Sequence, residues 1–122
     1  MASVKNGVMA TGVPDFPTQA HTALASGDRE VVASAVRESM KWFAGQLPGR
    51  AVELRVPPFL VVQVLGGTTH RRGTPPAVVE MAPHVWLGLI CGEVAWADAI
   101  ADGRISASGE RSNLSEYFPF SN

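Results

Sequence analysis

The chain has 122 residues, 46% hydrophobic and 17% charged, with a formal net charge of −1 and a single cysteine. That balance supplies no field to draw it to nucleic acid or an anionic membrane, and one cysteine excludes an internal disulfide and fits a reducing compartment. The length predicts one domain, and neither a secretory signal nor a run of ~20 apolar residues is present, so the cytoplasm is the expected location.

Residues 1–15 are small, glycine-containing and aperiodic, and read as a flexible arm before a single domain over residues 16–120. Thr18 to Ser26 is a short helical candidate ended by Gly27. Asp28 is placed as an N-cap, and Val32, Ala35, Val36, Ser39, Met40 and Phe43 recur at three- and four-residue spacing. Asp28 to about Gln46 is therefore expected as a long amphipathic helix, stopped by Leu47-Pro48-Gly49. Val52, Leu54 and Val56 alternate with Glu53 and Arg55, as in a strand with one wet face, and Pro57-Pro58 marks an edge or turn.

Leu60 to Leu65 has Gln63 as its only polar residue. Val62 and Val64 should face the helices, with Val61 and Leu65 covered by another element or by the second subunit of a homodimer. Gly66-Gly67 turns the chain, Thr68 to Arg72 reads as a short polar strand, and Ala77 to Met81 as the next strand. Pro83 suits a first helical position, Val85, Trp86, Leu89 and Ile90 form one face, and Gly92 ends that helix. Trp96, Ala99 and Ile100 repeat the spacing in a shorter helix. After the Asp102-Gly103 turn, Ile105 and Ala107 alternate with polar residues as a strand. A last short helix is expected from Ser112 to Phe118, with Leu114, Tyr117 and Phe118 inward and Pro119 as its end.

Nothing in this pattern names a reaction. His21, His70 and His84 lack metal-ligand spacing, Cys91 has no basic neighbour in sequence to make a thiolate, and no nucleophile elbow or phosphate loop occurs. The expectation is a non-enzyme without metal or cofactor. One polar set, Arg55, Gln63, His70, Arg72 and Glu80, could share a sheet face. Its plain reading is a solvated face with weak ion pairs; the functional one is a carboxylate headgroup gripped by Arg55 or Arg72. The apolar set is Trp42, Phe43, Phe59, Trp86, Leu89, Trp96, Ile100, Leu114, Tyr117 and Phe118. It reads as core for most members, with room for an apolar pocket between helices and sheet.

Gly92, Ala99, Gly103-Arg104-Ile105 and Gly109 together resemble the signature of the sterol carrier protein type 2 domain. Arg55-Val56-Pro57-Pro58-Phe59 and Arg72-Gly73-Thr74-Pro75-Pro76 look like a bacterial, actinobacterial-type branch of that superfamily. Two positions depart from the pattern: Glu93 stands where a basic residue is usual, and Ala95 where a capping polar residue is common. The resemblance covers roughly residues 30 to 118. It implies an α+β fold, a mixed sheet of about five strands with the long N-terminal helix and short helices on one face. It also implies a tunnel between sheet and helices for a lipid, fatty acyl or sterol-like ligand. The members of the apolar set other than Trp96 would line that tunnel, and the last helix would border it. The alternative is an accessory or protein-interaction domain without lipid cargo, since similar modules are fused to mycothiol-dependent isomerase-type proteins.

Overall fold

A computed structural model describes residues 14–66 and 76–120 of the chain. The expected Thr68 to Arg72 strand, with His70 and Arg72 on it, lies outside the described residues, as does most of the proposed N-terminal arm. Helix α1 spans Phe16–Ser26, with Asp15 accepting a hydrogen bond from the Thr18 amide at its start and Gly27 in the left-handed region at its end. Helix α2, Arg29–Gln46, is the long helix that the spacing predicts, and the Asp28 side chain caps it through the Val31 amide. The strands are β1 (Val52–Val56), β2 (Leu60–Val64), β3 (Ala77–Met81) and β4 (Ile105–Ser108). Helices α3 (Pro83–Cys91) and α4 (Trp96–Ala101) connect β3 to β4.

Among the described residues the sheet has four strands in the order β2-β1-β3-β4. β1 and β3 are parallel neighbours at its centre, and β2 and β4 run antiparallel to them at the edges. The architecture is α+β, as the resemblance implies. Strand alternation sorts the side chains: Val52, Leu54 and Val56 of β1, Val64 of β2, Ala77, Val79 and Met81 of β3 and Ile105 of β4 are buried and join the helices in one core. The opposite face carries Glu53, Arg55, Val61, Gln63, Val78, Glu80, Ser106 and Ser108, which register places side by side.

β2 resolves differently from the both-faces-buried expectation. Val64 is buried and Val62 half-buried on the helix side, whereas Val61 is 54% exposed and no described element covers it. Leu65 is covered, but by leaving the strand. It takes a left-handed backbone (φ 69°), donates its N–H to Leu47 O and accepts from the Ala51 N–H, and its side chain turns into the core. Gly49, itself at φ 145°, passes so close that a Cβ there would sit 2.1 Å from the Leu65 carbonyl carbon. That crossing fixes where the α2–β1 connection meets the end of β2.

Helix α3 is the middle of the molecule. The spacing predicts one buried face, yet every residue from Val85 to Ile90 is buried. The reason is α1, whose Phe16, Ala20 and Ala23 join the same core and whose small alanines permit close approach. A helix apolar all round is stable only when enclosed, and α1, α2, the sheet and the C-terminal segment enclose this one.

The last segment also departs from expectation. In place of a helix over Ser112 to Phe118 there is a single 3₁₀ turn, Ser115–Tyr117, opened by Asn113, whose side-chain oxygen accepts from the Ser115 amide. Leu114, Tyr117 and Phe120 all insert into the core, and the Phe120 N–H donates to Ile90 O at 3.0 Å. The inserted side chains recur every third residue, the repeat of a 3₁₀ turn, and Pro119 disfavours helical backbone at Phe118, which is extended.

Candidate functional site

Most of the residues expected to line a pocket do converge, on a cluster of aromatic rings between α2, α3 and the C-terminal strap. Helix α2 delivers Trp42 and Phe43 next to one another because its apolar stripe is broad there. Phe43 is the hub, its ring centroid 5.5 Å from Trp86, 5.7 Å from Tyr117, 5.9 Å from Phe118 and 5.7 Å from Phe120. Trp86 meets Phe118 edge-on at 5.5 Å, and Trp96 stacks on Phe118 at 6.1 Å. Trp42 bridges Phe16 of α1 and Phe120 of the strap. Such edge-on and stacked pairs contribute about 0.5–1.5 kcal/mol each beyond area burial.

Phe43, Trp86, Leu89 and Leu114 are fully buried and Tyr117 nearly so, while Trp42 and Phe118 are half-buried at the rim. Burial raises the Tyr117 phenol above its ordinary value, with Glu116 adding to the effect. The polar seam in this cluster is satisfied internally: the Trp86 indole N–H donates to Ser39 Oγ at 2.9 Å, and the Ser39 hydroxyl donates to Ala35 O at 2.6 Å. Among the described residues no buried side-chain polar atom lacks a partner.

Two of the expected lining residues stand elsewhere. Phe59, in the turn between β1 and β2, lies beneath the guanidinium groups of Arg29 and Arg37 at 5.2 and 5.5 Å. Ile100 is 39% exposed on α4. Arg55 occupies the sheet face away from the helices, ion-paired with Glu53 and 3.8 Å from Glu80. Phe120 is a member that sequence reasoning missed, and Phe16 joins the cluster from α1. Phe120 had a signal, since it extends the aromatic run of Tyr117 and Phe118 past Pro119; Phe16 had only its place beside a capping Asp15.

From α2 to the end of the strap, this fold and its aromatic core coincide with one region of sequence. The family described as bacterial SCP ortholog matches residues 28–120. The chain belongs to that family. No curated protein matches the chain. Membership accounts for the sheet, α2, α3 and α4; α1 precedes the matched residues.

Glu93, the departure from the family's basic residue, acquires a partner from α1. Its Oε2 lies 2.6 Å from His21 Nδ1, and the Cys91 thiol donates to the same oxygen at 3.4 Å. The His21 contact, then the thiol, holds the Glu93 carboxyl below its usual range. Burial pushes the Cys91 thiol up, and the adjacent carboxylate adds to that. The histidine contacts the carboxylate rather than the sulfur, so the imidazole is not placed to take the thiol proton. The three fasten α1 to the end of α3. Among the described residues no group of three His, Cys, Asp or Glu is placed to hold a metal ion, and no helix is long and apolar enough to cross a membrane.

Proposed function

We propose that the protein is a non-enzymatic, cytoplasmic carrier of an apolar small molecule, fatty acyl or sterol-like, bound among Trp42, Phe43, Trp86, Leu89, Leu114, Tyr117 and Phe118. The observation that carries this reading is the aromatic cluster itself: its rings come from two helices and from a strap whose one regular turn is a single 3₁₀ turn. The rings fill the space, so ligand enters by displacing the strap from Leu114 to Phe120. Ligand surface leaving water at about 25 cal/mol per Å² would have to offset the release of the strap's own rings. Phe59, Ile100 and Arg55 stand outside that space.

Native mass spectrometry of the purified protein, before and after denaturation and extraction, tests the reading. The expected result is an apolar adduct lost on extraction and regained with a fatty acid. Failure of any fatty acid or sterol to bind, both to the full chain and to a chain cut before Leu114, would refute it.

A second reading has its own observation. The complete burial of Phe43, Trp86, Leu89 and Leu114 suits a solid core, and hence an interaction domain without cargo. The refuting result above is the one it predicts. A homodimer would use the outer sheet face at Val61; sedimentation of the wild type and of Val61→Lys tests it, with equal monomeric behaviour counting against pairing.

A further inference from the structure

On the side of α2 turned away from the sheet, α1 and α2 diverge around a cleft of about 450 Å³. We propose that this cleft binds a linear diammonium or polyamine, its methylene chain lying along α2 and an ammonium group at each end.

The floor is apolar. Val31 and Ala35 are one turn apart on α2, and Val31 is a large aliphatic side chain left 42% exposed. The facing wall is Thr18 and Thr22, one turn apart on α1, which offer methyl groups and hydroxyls. The charge is one-sided. Among the described residues, Glu30 and Glu38 both line the cleft, no Lys, Arg or His does, and neither carboxylate is ion-paired. The nearest arginines in sequence, Arg29 and Arg37, are turned to Phe59. The Ser34 hydroxyl donates to Glu38 Oε2 at 2.7 Å and holds that carboxylate at the rim.

Spacing decides the ligand's shape. Glu30 and Glu38 are eight positions apart, about 12 Å along a helix that rises 1.5 Å per residue, too far for one small cation to bridge. Two positive charges joined by an apolar chain of about that length satisfy both carboxylates and cover Val31 and Ala35 between them. The site lies on another face from the aromatic cluster, and its wall α1 precedes the family-matched residues, so the proposal does not depend on the carrier reading.

The test is an amide-resolved NMR titration of the full chain with 1,8-diaminooctane, octylamine, octan-1-ol and octanoate. The diamine should shift the amides of Thr18, Thr22, Val31 and Ser34 and bind more tightly than octylamine, with octanoate leaving them in place. Exposed carboxylate–ammonium pairs are weak, so Glu30→Gln and Glu38→Gln should each weaken diamine binding about two- to fivefold, and the double variant more. Both residues are at the surface, and retained chemical-shift dispersion verifies that each variant is folded. Octan-1-ol matching the diamine would overturn the proposal, as would a double variant that binds undiminished. Shifts confined to Tyr117 to Phe120, or no shift with any probe, would overturn it equally.

Discussion

Ser39 is the buried polar side chain that ties α2 to α3, and it shows how much a single hydroxyl can hold. Removing it leaves the Trp86 indole N–H without an acceptor inside a closed apolar core. Ser39→Ala is therefore expected to cost about 1–3 kcal/mol, read as a lower midpoint in urea with an unchanged slope. An unchanged midpoint would mean that the indole finds another partner. A second expectation concerns Cys91, whose thiol is held protonated by burial and by Glu93. Alkylation by iodoacetamide should reach its half-maximal rate at a higher pH than for a free thiol, and Glu93→Gln should move that profile downward; no movement would remove Glu93 from the account. At this scale the sequence was legible where interactions are local. The Asp28 cap and the left-handed glycines at Gly27 and Gly92 lie within a few residues of what they terminate. Alternation also put Arg55, Gln63 and Glu80 on one face. The Ser39–Trp86 bond and the His21–Glu93 contact join residues 47 and 72 positions apart, and no periodicity announces such partners.

Among the elements, α3 depends on a close approach that its sequence only hints at. A Cβ on Gly88 would lie 2.4 Å from Val94 Cγ2, on the turn that follows the helix, where the Val94 N–H donates to Gly88 O. Valine is stiff at χ1 and cannot swing clear cheaply. Gly88→Ala should thus destabilise by about 1–3 kcal/mol despite its better helix propensity. Val94→Ala in the same chain should recover part of that loss in thermal or urea unfolding; additive losses would refute the clash. The helices were legible as periodic segments, and α2 was found nearly to its ends. The burial of α3 on every side was not, because it depends on α1 packing from outside the stripe. The C-terminal segment differs from the expected helix because a three-residue apolar spacing over so short a run fits a 3₁₀ turn as well as an α-helix, and Pro119 holds Phe118 extended.

For the whole molecule, the strap closes the core. Phe120 is 2% exposed and contacts Trp42, Phe43, Trp86 and Phe118, so Phe120→Ala is expected to cost about 3–5 kcal/mol, of the size of a large core deletion. A loss below about 1 kcal/mol in chemical unfolding would mean that the strap is marginal to the fold. The α+β class, the joining of β4 to the sheet of β1 and the family were legible because sheet alternation and the Gly92-to-Gly109 pattern are carried by contiguous residues. The closure of the expected pocket was not, since it depends on Phe120 and Phe16 arriving from opposite ends of the domain.

The arrangement of rings gives the protein a built-in optical probe. Each of its three tryptophans rests against a phenylalanine of the strap: Trp42 on Phe120, Trp86 on both Phe118 and Phe120, and Trp96 on Phe118. No tryptophan stands apart from that segment to supply a constant background. Lifting the strap would hydrate three indoles together, so the emission maximum should move to the red in one step, without dye or label. Intrinsic emission therefore reports the position of seven residues at one end of the domain, and a stopped-flow trace would time their departure directly.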